Sequence, residues 1–126
     1  YISYESHAQY GQKAVDIMTD MLGEDYYTGD GYWNNYESWY SWLAHRSAND
    51  EDNKFVWMYY YGTIDNMNLL LAHVDAMKGE QKERDNLKGQ AYAFRAHSYF
   101  KLVQLYAERY KPEGRNTHPR IYASDQ

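Results

Sequence analysis

The chain has 126 residues, a length typical of one domain or of part of a larger protein. Its 13 Lys and Arg residues against 18 Asp and Glu residues give a net charge of −5, which argues against nucleic acid and anionic lipid surfaces as partners. The absence of cysteine excludes disulfides, thiolate metal sites and thiol catalysis. Leu, Ile, Val and Phe are scarce, so the sixteen Tyr and four Trp residues must supply much of any core.

Helical spacing of apolar residues predicts a first helix over about residues 6–22, with Gly23 as its C-terminal cap. A second helix is predicted to start after a cap at Asn49 or Asp50, with acidic residues at its positive end, and to end at Gly79. The predicted core stripe of this second helix consists of Trp57, Tyr61, Ile64, Asn68, Leu71 and Val74.

The third predicted helix runs from about Gln81 to Tyr110 and forms an antiparallel hairpin with the second. Its large apolar side chains cover more than one face, which predicts neighbours on several sides. Arg95 lies in this apolar stretch, so we expect it to be hydrogen-bonded to a carboxylate or to helix-end carbonyls. Asn68 is expected to make a hydrogen bond between helices. The predicted fold class is all-α.

The connection between the first two helices, residues 23–48, is unusually rich in aromatic residues. A connection of this length without structure of its own is uncommon in a compact domain and usually has a function. Tyr32, Tyr36 and Trp39 have helical spacing, which predicts a short helix in part of the segment, after a turn marked by Gly29 and Gly31.

Two segments carry a resemblance to a known family. They read WMYYYGTIDNMNLLLAHVD, from Trp57, and GQAYAFRAHSYFKLVQLYAERY, from Gly89. In this order, across a short turn, they resemble the N-terminal half of the SusD/RagB family, outer-membrane lipoproteins of Bacteroidetes-type bacteria that capture nutrients, typically glycans. The resemblance covers about residues 52–119.

The resemblance implies a scaffold of tetratricopeptide-like antiparallel helix pairs and a cell-surface lipoprotein at the outer membrane. It also implies a SusC-like TonB-dependent transporter as partner, which receives the captured glycan or oligosaccharide. Membrane attachment is expected only through a lipid anchor that this chain does not include. We expect residues 1–126 to form a single all-α domain, the N-terminal portion of a larger SusD-like protein.

The aromatic connection contains the candidate ligand site. Flat rings can cover the C–H faces of a sugar, while amide and carboxylate groups meet its hydroxyls. The candidate ligand-binding residues are Asp30, Tyr32, Trp33, Asn34, Asn35, Tyr36 and Trp39. The alternatives for the rings are packing in a core, as expected for Trp57, or an interface with the transporter.

The expected function is binding rather than catalysis. Adjacent acids at the start of the second helix are better explained by capping than by the facing carboxyl pair of a glycosidase. No catalytic residue, metal ligand or cofactor is predicted. The alternative is a helical-repeat module that binds a protein partner without binding carbohydrate. The sequence does not reveal which glycan, or whether a peptide instead, is the ligand.

Overall fold

A computed structural model describes residues 9–27, residue 29 and residues 36–114, without the side chain of His45. This described part contains helices and no strands, which confirms the all-α prediction. None of its helices is long and apolar enough to cross a membrane. The α-helices are α1 (Gln12–Asp20), α2 (Glu37–Tyr40), α3 (Glu51–His73) and α4 (Gln81–Tyr106), and 3-10 helices occupy Ala44–Arg46 and Val74–Ala76.

The chain divides into two compact units, Tyr1–Tyr59 and Tyr60–Gln126. The first contains α1, α2 and the start of α3, and the second contains the rest of α3 and α4. The prediction of a single domain over residues 1–126 stays a prediction.

Helix α1 starts later than predicted because Gly11 interrupts the helical backbone. Gly11 has φ of 66° and ψ of −151°, a conformation essentially restricted to glycine, and its carbonyl accepts hydrogen bonds from the amides of Ala14 and Val15. A Cβ at this position would lie 3.6 Å from a ring carbon of Tyr59. At the other end, α1 gives way to a turn at Met21, and Gly23 lies outside the left-handed region, so the predicted glycine cap is wrong.

Asp50 is the N-terminal cap of helix α3, and it is one of the two residues that were predicted as candidates for this cap. Its Oδ1 accepts hydrogen bonds from the backbone amides of Asp52 at 3.0 Å and Asn53 at 3.2 Å. These amides have no carbonyl partner within the helix, so the carboxylate satisfies them and adds negative charge at the positive end of the helix dipole. The capping explanation for this acidic run is therefore supported by the geometry.

Buried side chains of the first unit come from α1, α2, the 3-10 helix after α2, and the start of α3. They are Ala14, Val15, Met18, Trp39, Ala44, Phe55 and Val56. Trp57 was expected in the core, but 41% of its surface is exposed, so this prediction is wrong. Because neighbouring helix residues point about 100° apart, the burial of Phe55 and Val56 turns Trp57 away from that core.

In the second unit, the end of α3 and α4 form the predicted antiparallel hairpin. Arg95 Nη1 donates a 2.9 Å hydrogen bond to Asn68 Oδ1. Burial raises the pKa of Tyr61, and the nearby Tyr99 raises it further. The turn between the helices contains Gly79, with φ of 144°. Arg84 Nη1 donates to the Gly79 carbonyl at 2.6 Å, which satisfies a backbone acceptor in this turn.

One face of α4 is buried in the second unit, and the remaining faces are open. Among the described residues of this unit, the buried side chains are Tyr60, Ile64, Val74, Ala91, Ser98 and Leu102. In contrast, Phe94, Phe100 and Val103 are each more than half exposed. The described residues therefore do not supply the neighbours that were expected on several sides of this helix.

Candidate functional site

The predicted ligand-binding residues are only partly visible. Five of them lie outside the described residues, namely Asp30, Tyr32, Trp33, Asn34 and Asn35. Tyr36 and Trp39 are described: Tyr36 is half-buried and directly precedes α2, and Trp39 lies within it. The structure confirms a short helix in the aromatic connection, although this helix is only four residues long.

Trp39 is a core residue of the first unit. Only 3% of its surface is exposed. The helix that contains it, α2, contacts α1. The Nε1 of Trp39 makes no hydrogen bond with the described residues. Burial raises the pKa of the nearby Asp52 carboxyl, and the Trp39 indole partly offsets this rise. The contact therefore falls short of hydrogen-bond geometry. This burial favours packing over ring stacking on a ligand.

Asp52 and Tyr36 form an electrostatic pair beside the Trp39 indole. Burial raises the pKa of Asp52, and the neighbouring carboxylates of Asp50 and Glu51 raise it further. The pKa of Tyr36 is raised by burial and then by the negative charge of Asp52. A half-buried carboxylate beside a phenol can accept hydrogen bonds from hydroxyl groups of a polar ligand.

A pH-dependent stability difference is expected for Asp52→Asn. Since the pKa of Asp52 is higher in the folded protein than in the unfolded chain, ionisation of this carboxyl disfavours folding. The penalty is absent below the unfolded pKa, grows as pH rises through the interval up to the folded pKa, and is constant above it. The Asn variant has no such penalty, so its melting temperature should rise relative to that of the unsubstituted protein as pH increases from below to above the ordinary pKa of an aspartate.

Asp65→Asn, at an exposed position on the same helix, is the charge-matched control for this comparison. Thermal melts of the three proteins across this pH range measure the difference directly. A melting-temperature gap that stays constant for Asp52→Asn, or that narrows as pH rises, would contradict the predicted sign.

Other rings around α2 are exposed. The rings of Tyr27 and Tyr40 meet edge to face, with centroids 6.5 Å apart and planes at 89°. Such a pair has a favourable quadrupole interaction, which holds the two rings in a defined arrangement. Tyr27 is 74% exposed and Tyr40 is 38% exposed, so the pair remains accessible.

Trp42 occupies a strained position at the end of α2. The amide of Trp42 donates to the Trp39 carbonyl at 3.0 Å, and the amide of Leu43 donates to the Ser38 carbonyl at 2.8 Å. This pair of bonds defines a Schellman motif, whose left-handed residue is usually glycine. Trp42 has φ of 60°, a conformation that costs an ordinary L-residue about 1–2 kcal/mol. Its indole is nevertheless 51% exposed.

Sequence reasoning did not assign a binding role to Tyr27, Trp42 or Asp52. The exposure and pairing of Tyr27 depend on Tyr40, thirteen positions away in the sequence. Asp52 was interpreted as part of a capping run, because its approach to Tyr36 requires the tertiary fold. The helical spacing of the aromatic connection gave no signal for Trp42, because that spacing continued to Leu43, whereas the observed helix ends at Tyr40.

The described residues contain no cluster of three or more His, Asp or Glu side chains that could hold a metal ion. Around α2, the described residues provide exposed ring faces, backbone dipoles and the half-buried carboxylate of Asp52. This combination suits reversible binding of a neutral ligand that has both apolar faces and hydroxyl groups.

Comparison with known proteins gives a family match and no individual relative. No curated protein and no solved structure matches the chain. Residues 3–125 match the family SusD-like_3, described as "Starch-binding associating with outer membrane". The match spans nearly the whole chain, including both segments that carry the resemblance. The chain therefore belongs to the SusD-like family of starch-binding proteins that associate with the outer membrane.

Proposed function

We propose that this protein binds a glycan at the cell surface and delivers it to a SusC-like TonB-dependent transporter, as a lipoprotein without catalytic activity. The family match over residues 3–125 is the observation that carries the proposal. The accessible rings around α2 support it, since stacking on sugar faces requires exposed aromatic surface. The net charge of −5 also suits a neutral ligand better than an anionic one.

Within this function, the residues preceding α2 are proposed to form the ligand site. Tyr32, Trp33 and Tyr36 would supply rings, and the polar groups would come from Asp30, Asn34 and Asn35. Trp39 would act in the core of the first unit, because its indole is buried there. Direct contact between Trp39 and a ligand stays a prediction.

Trp33→Ala is expected to weaken glycan binding at least tenfold, which corresponds to about 1.4 kcal/mol of binding free energy. Isothermal titration of the chain with maltoheptaose measures the effect, because the family description names starch. Tyr110→Ala is a suitable control, since Tyr110 is 71% exposed and lies in the other unit, after α4. Equal affinity of the Trp33 variant and the unsubstituted protein would remove Trp33 from the site.

A second candidate function, binding of a protein partner without carbohydrate, is favoured by one observation. The exposed side chains of Phe94, Phe100 and Val103 present apolar surface on α4. Phe100 and Val103, three positions apart, are neighbours on the helix surface, and adjacent exposed apolar side chains can mark a protein interface. Tight association with a TonB-dependent barrel, together with no heat of binding for any tested glycan, would favour this candidate over the first.

A further inference from the structure

We propose that two copies of this chain associate through the outer face of α4, with the two helices antiparallel across a two-fold axis. The residues of this face recur four and three positions apart, which is the spacing of contact positions along one seam of a helix. We call them the outer α4 stripe, and they are Gly89, Ala93, Ala96, Phe100 and Val103. Association of this kind is independent of glycan binding.

The outer α4 stripe lies opposite the side of the helix that is buried in the second unit. Phe100 is two positions from the buried residues Ser98 and Leu102, so a rotation of about 100° per residue turns it about 200° away from each. Phe100 is accordingly 59% exposed, and Val103 is 51% exposed. A Cβ added to Gly89 would lie in open space. The described residues therefore leave the stripe uncovered.

The stripe and the positions that border it contain no Asp, Glu, Lys or Arg. The bordering residues are Gln90, Tyr92, His97 and Tyr99. The centres of protein interfaces are depleted of charged residues and enriched in aromatic ones relative to the rest of the surface. Each copy carries a net charge of −5, so a face without acidic groups is one on which two copies can meet without close like-charge contacts.

The sizes of the side chains in the stripe identify a second copy as the occupant. Ala96 and Phe100 are each two positions from Ser98, and Ala93 and Val103 are each five positions from it. In an antiparallel pair centred at the level of Ser98, Phe100 of one copy therefore lies opposite Ala96 of the other, and Val103 lies opposite Ala93. Each large side chain meets a small one, as close packing of facing helices requires. The two-fold axis forms every such contact twice.

A parallel pair would not have this fit. It would set Phe100 against Phe100 and leave a gap between the two Ala93 side chains, so the size pattern favours the antiparallel arrangement. From Gly89 to Val103 the stripe extends about 21 Å, at about 1.5 Å per residue. A contact between two helices of this length is small for a protein interface, so we expect a weak dimer whose population depends on concentration.

Sedimentation equilibrium of the full 126-residue chain over a wide concentration range measures the association. Two matched variants locate it, since Phe94 is 57% exposed on the same helix but lies about 120° around it from Phe100. Phe100→Glu would place an unpaired carboxylate between the helices, so we expect it to weaken dimerisation at least about tenfold. Phe94→Glu should leave the dissociation constant within about twofold of that of the unsubstituted protein.

An exchange of side-chain sizes tests the pairing itself. Ala96→Phe alone would set two rings against each other, and Phe100→Ala alone would leave a gap, so each should weaken the dimer at least about fivefold. The double variant again places a large residue opposite a small one and should recover an affinity within about threefold of the original. Both positions are exposed in the single copy, so circular dichroism should show the same helix content in all variants.

Loss of the dimer in Phe100→Glu, its retention in Phe94→Glu and its recovery in the double variant would support the inference. A chain that stays monomeric at every concentration overturns it and leaves the stripe to a helix of another protein. The same result for both Glu variants places the contact elsewhere and also overturns it. Stronger association of Ala96→Phe alone, or no recovery in the double variant, indicates unspecific apolar association and overturns it as well. Titration with maltoheptaose tests the proposed function separately.

Discussion

Trp39→Ala is expected to lower the free energy of unfolding by about 3–5 kcal/mol, the usual cost of truncating a buried Phe or Trp side chain to alanine. The indole is 3% exposed, so its removal leaves a cavity in the core of the first unit rather than a gap at the surface. Because folded domains are stable by only about 5–15 kcal/mol, a loss of this size changes the unfolding midpoint visibly. Urea unfolding followed by circular dichroism measures it.

Trp39→Phe is the informative companion to this variant. The Nε1 of Trp39 makes no hydrogen bond with the described residues, so removing this atom costs no hydrogen bond and relieves the desolvation of a polar group. The smaller ring still leaves some empty volume. We therefore expect Trp39→Phe to lose less than about 1.5 kcal/mol, the range of conservative core substitutions. A neutral Trp39→Ala would contradict the core assignment and return Trp39 to the list of ligand contacts.

Asn68→Ala is expected to lower the free energy of unfolding by about 1.5–3 kcal/mol, the range for a hydrogen bond to a charged group. The side-chain oxygen of Asn68 accepts from Arg95 Nη1 at 2.9 Å, which links the two helices of the second unit. Without this acceptor, the half-buried guanidinium still lies over the ring of Tyr92, whose centroid is 5.2 Å from Arg95 Cζ, but it loses its hydrogen bond to the other helix. Urea denaturation measures this loss as a lower unfolding midpoint. An unchanged m-value would show that the variant is less stable and that its folded and unfolded states are otherwise alike.

A double-mutant cycle tests whether this loss belongs to the pair. Asn68→Leu combined with Arg95→Met replaces both partners by apolar side chains, so the double variant should lose less than the sum of the two single variants. Asp75→Ala is the control, since it removes the exposed ion pair between Asp75 and Lys88, and exposed pairs contribute little. Strict additivity of Asn68 and Arg95 would show that the two side chains do not stabilise each other.

The choice of partner for Arg95 shows the limit of sequence reasoning about buried charge. The apolar surroundings in the sequence correctly predicted that the guanidinium needs hydrogen-bond acceptors. They did not identify the acceptor. The guanidinium donates to the side-chain amide oxygen of Asn68 and not to the expected carboxylate or helix-end carbonyl. The prediction for Asn68 was more specific, and the hydrogen bond between the helices confirms it.

The helical pattern of α3 and α4 could be predicted because its signals are local. Asp50 at the cap, the acidic first turn of α3 and the glycine in the turn before α4 each act on neighbouring residues. The start of α1 was misplaced for a related reason. Gly11 adopts φ of 66°, and a Cβ at this position would meet the ring of Tyr59, which is far away in sequence.

The candidate site could be predicted as a segment but not as a set of exposed rings. Composition alone indicated that the connection before α3 contains more aromatic surface than a simple turn requires. Which ring is buried and which is displayed depends on how α2 lies against α1, and a rotation of 100° per residue separates Trp39 from Tyr40. Trp57 was misplaced for a similar reason, because the periodicity of α3 did not indicate that Phe55 and Val56, rather than Trp57, are buried.

The sequence by itself determined that this protein is all-α, that α3 and α4 form a hairpin, and that it resembles the SusD/RagB family, because capping, turns and periodic motifs act over short stretches of chain. Contacts between distant segments were needed to show that Trp39 is buried, that Trp42 is exposed in a left-handed conformation, and that Asp52 lies near Tyr36. Burial and electrostatic pairing arise from contacts between distant residues, so the spacing of residues along one chain cannot fix them.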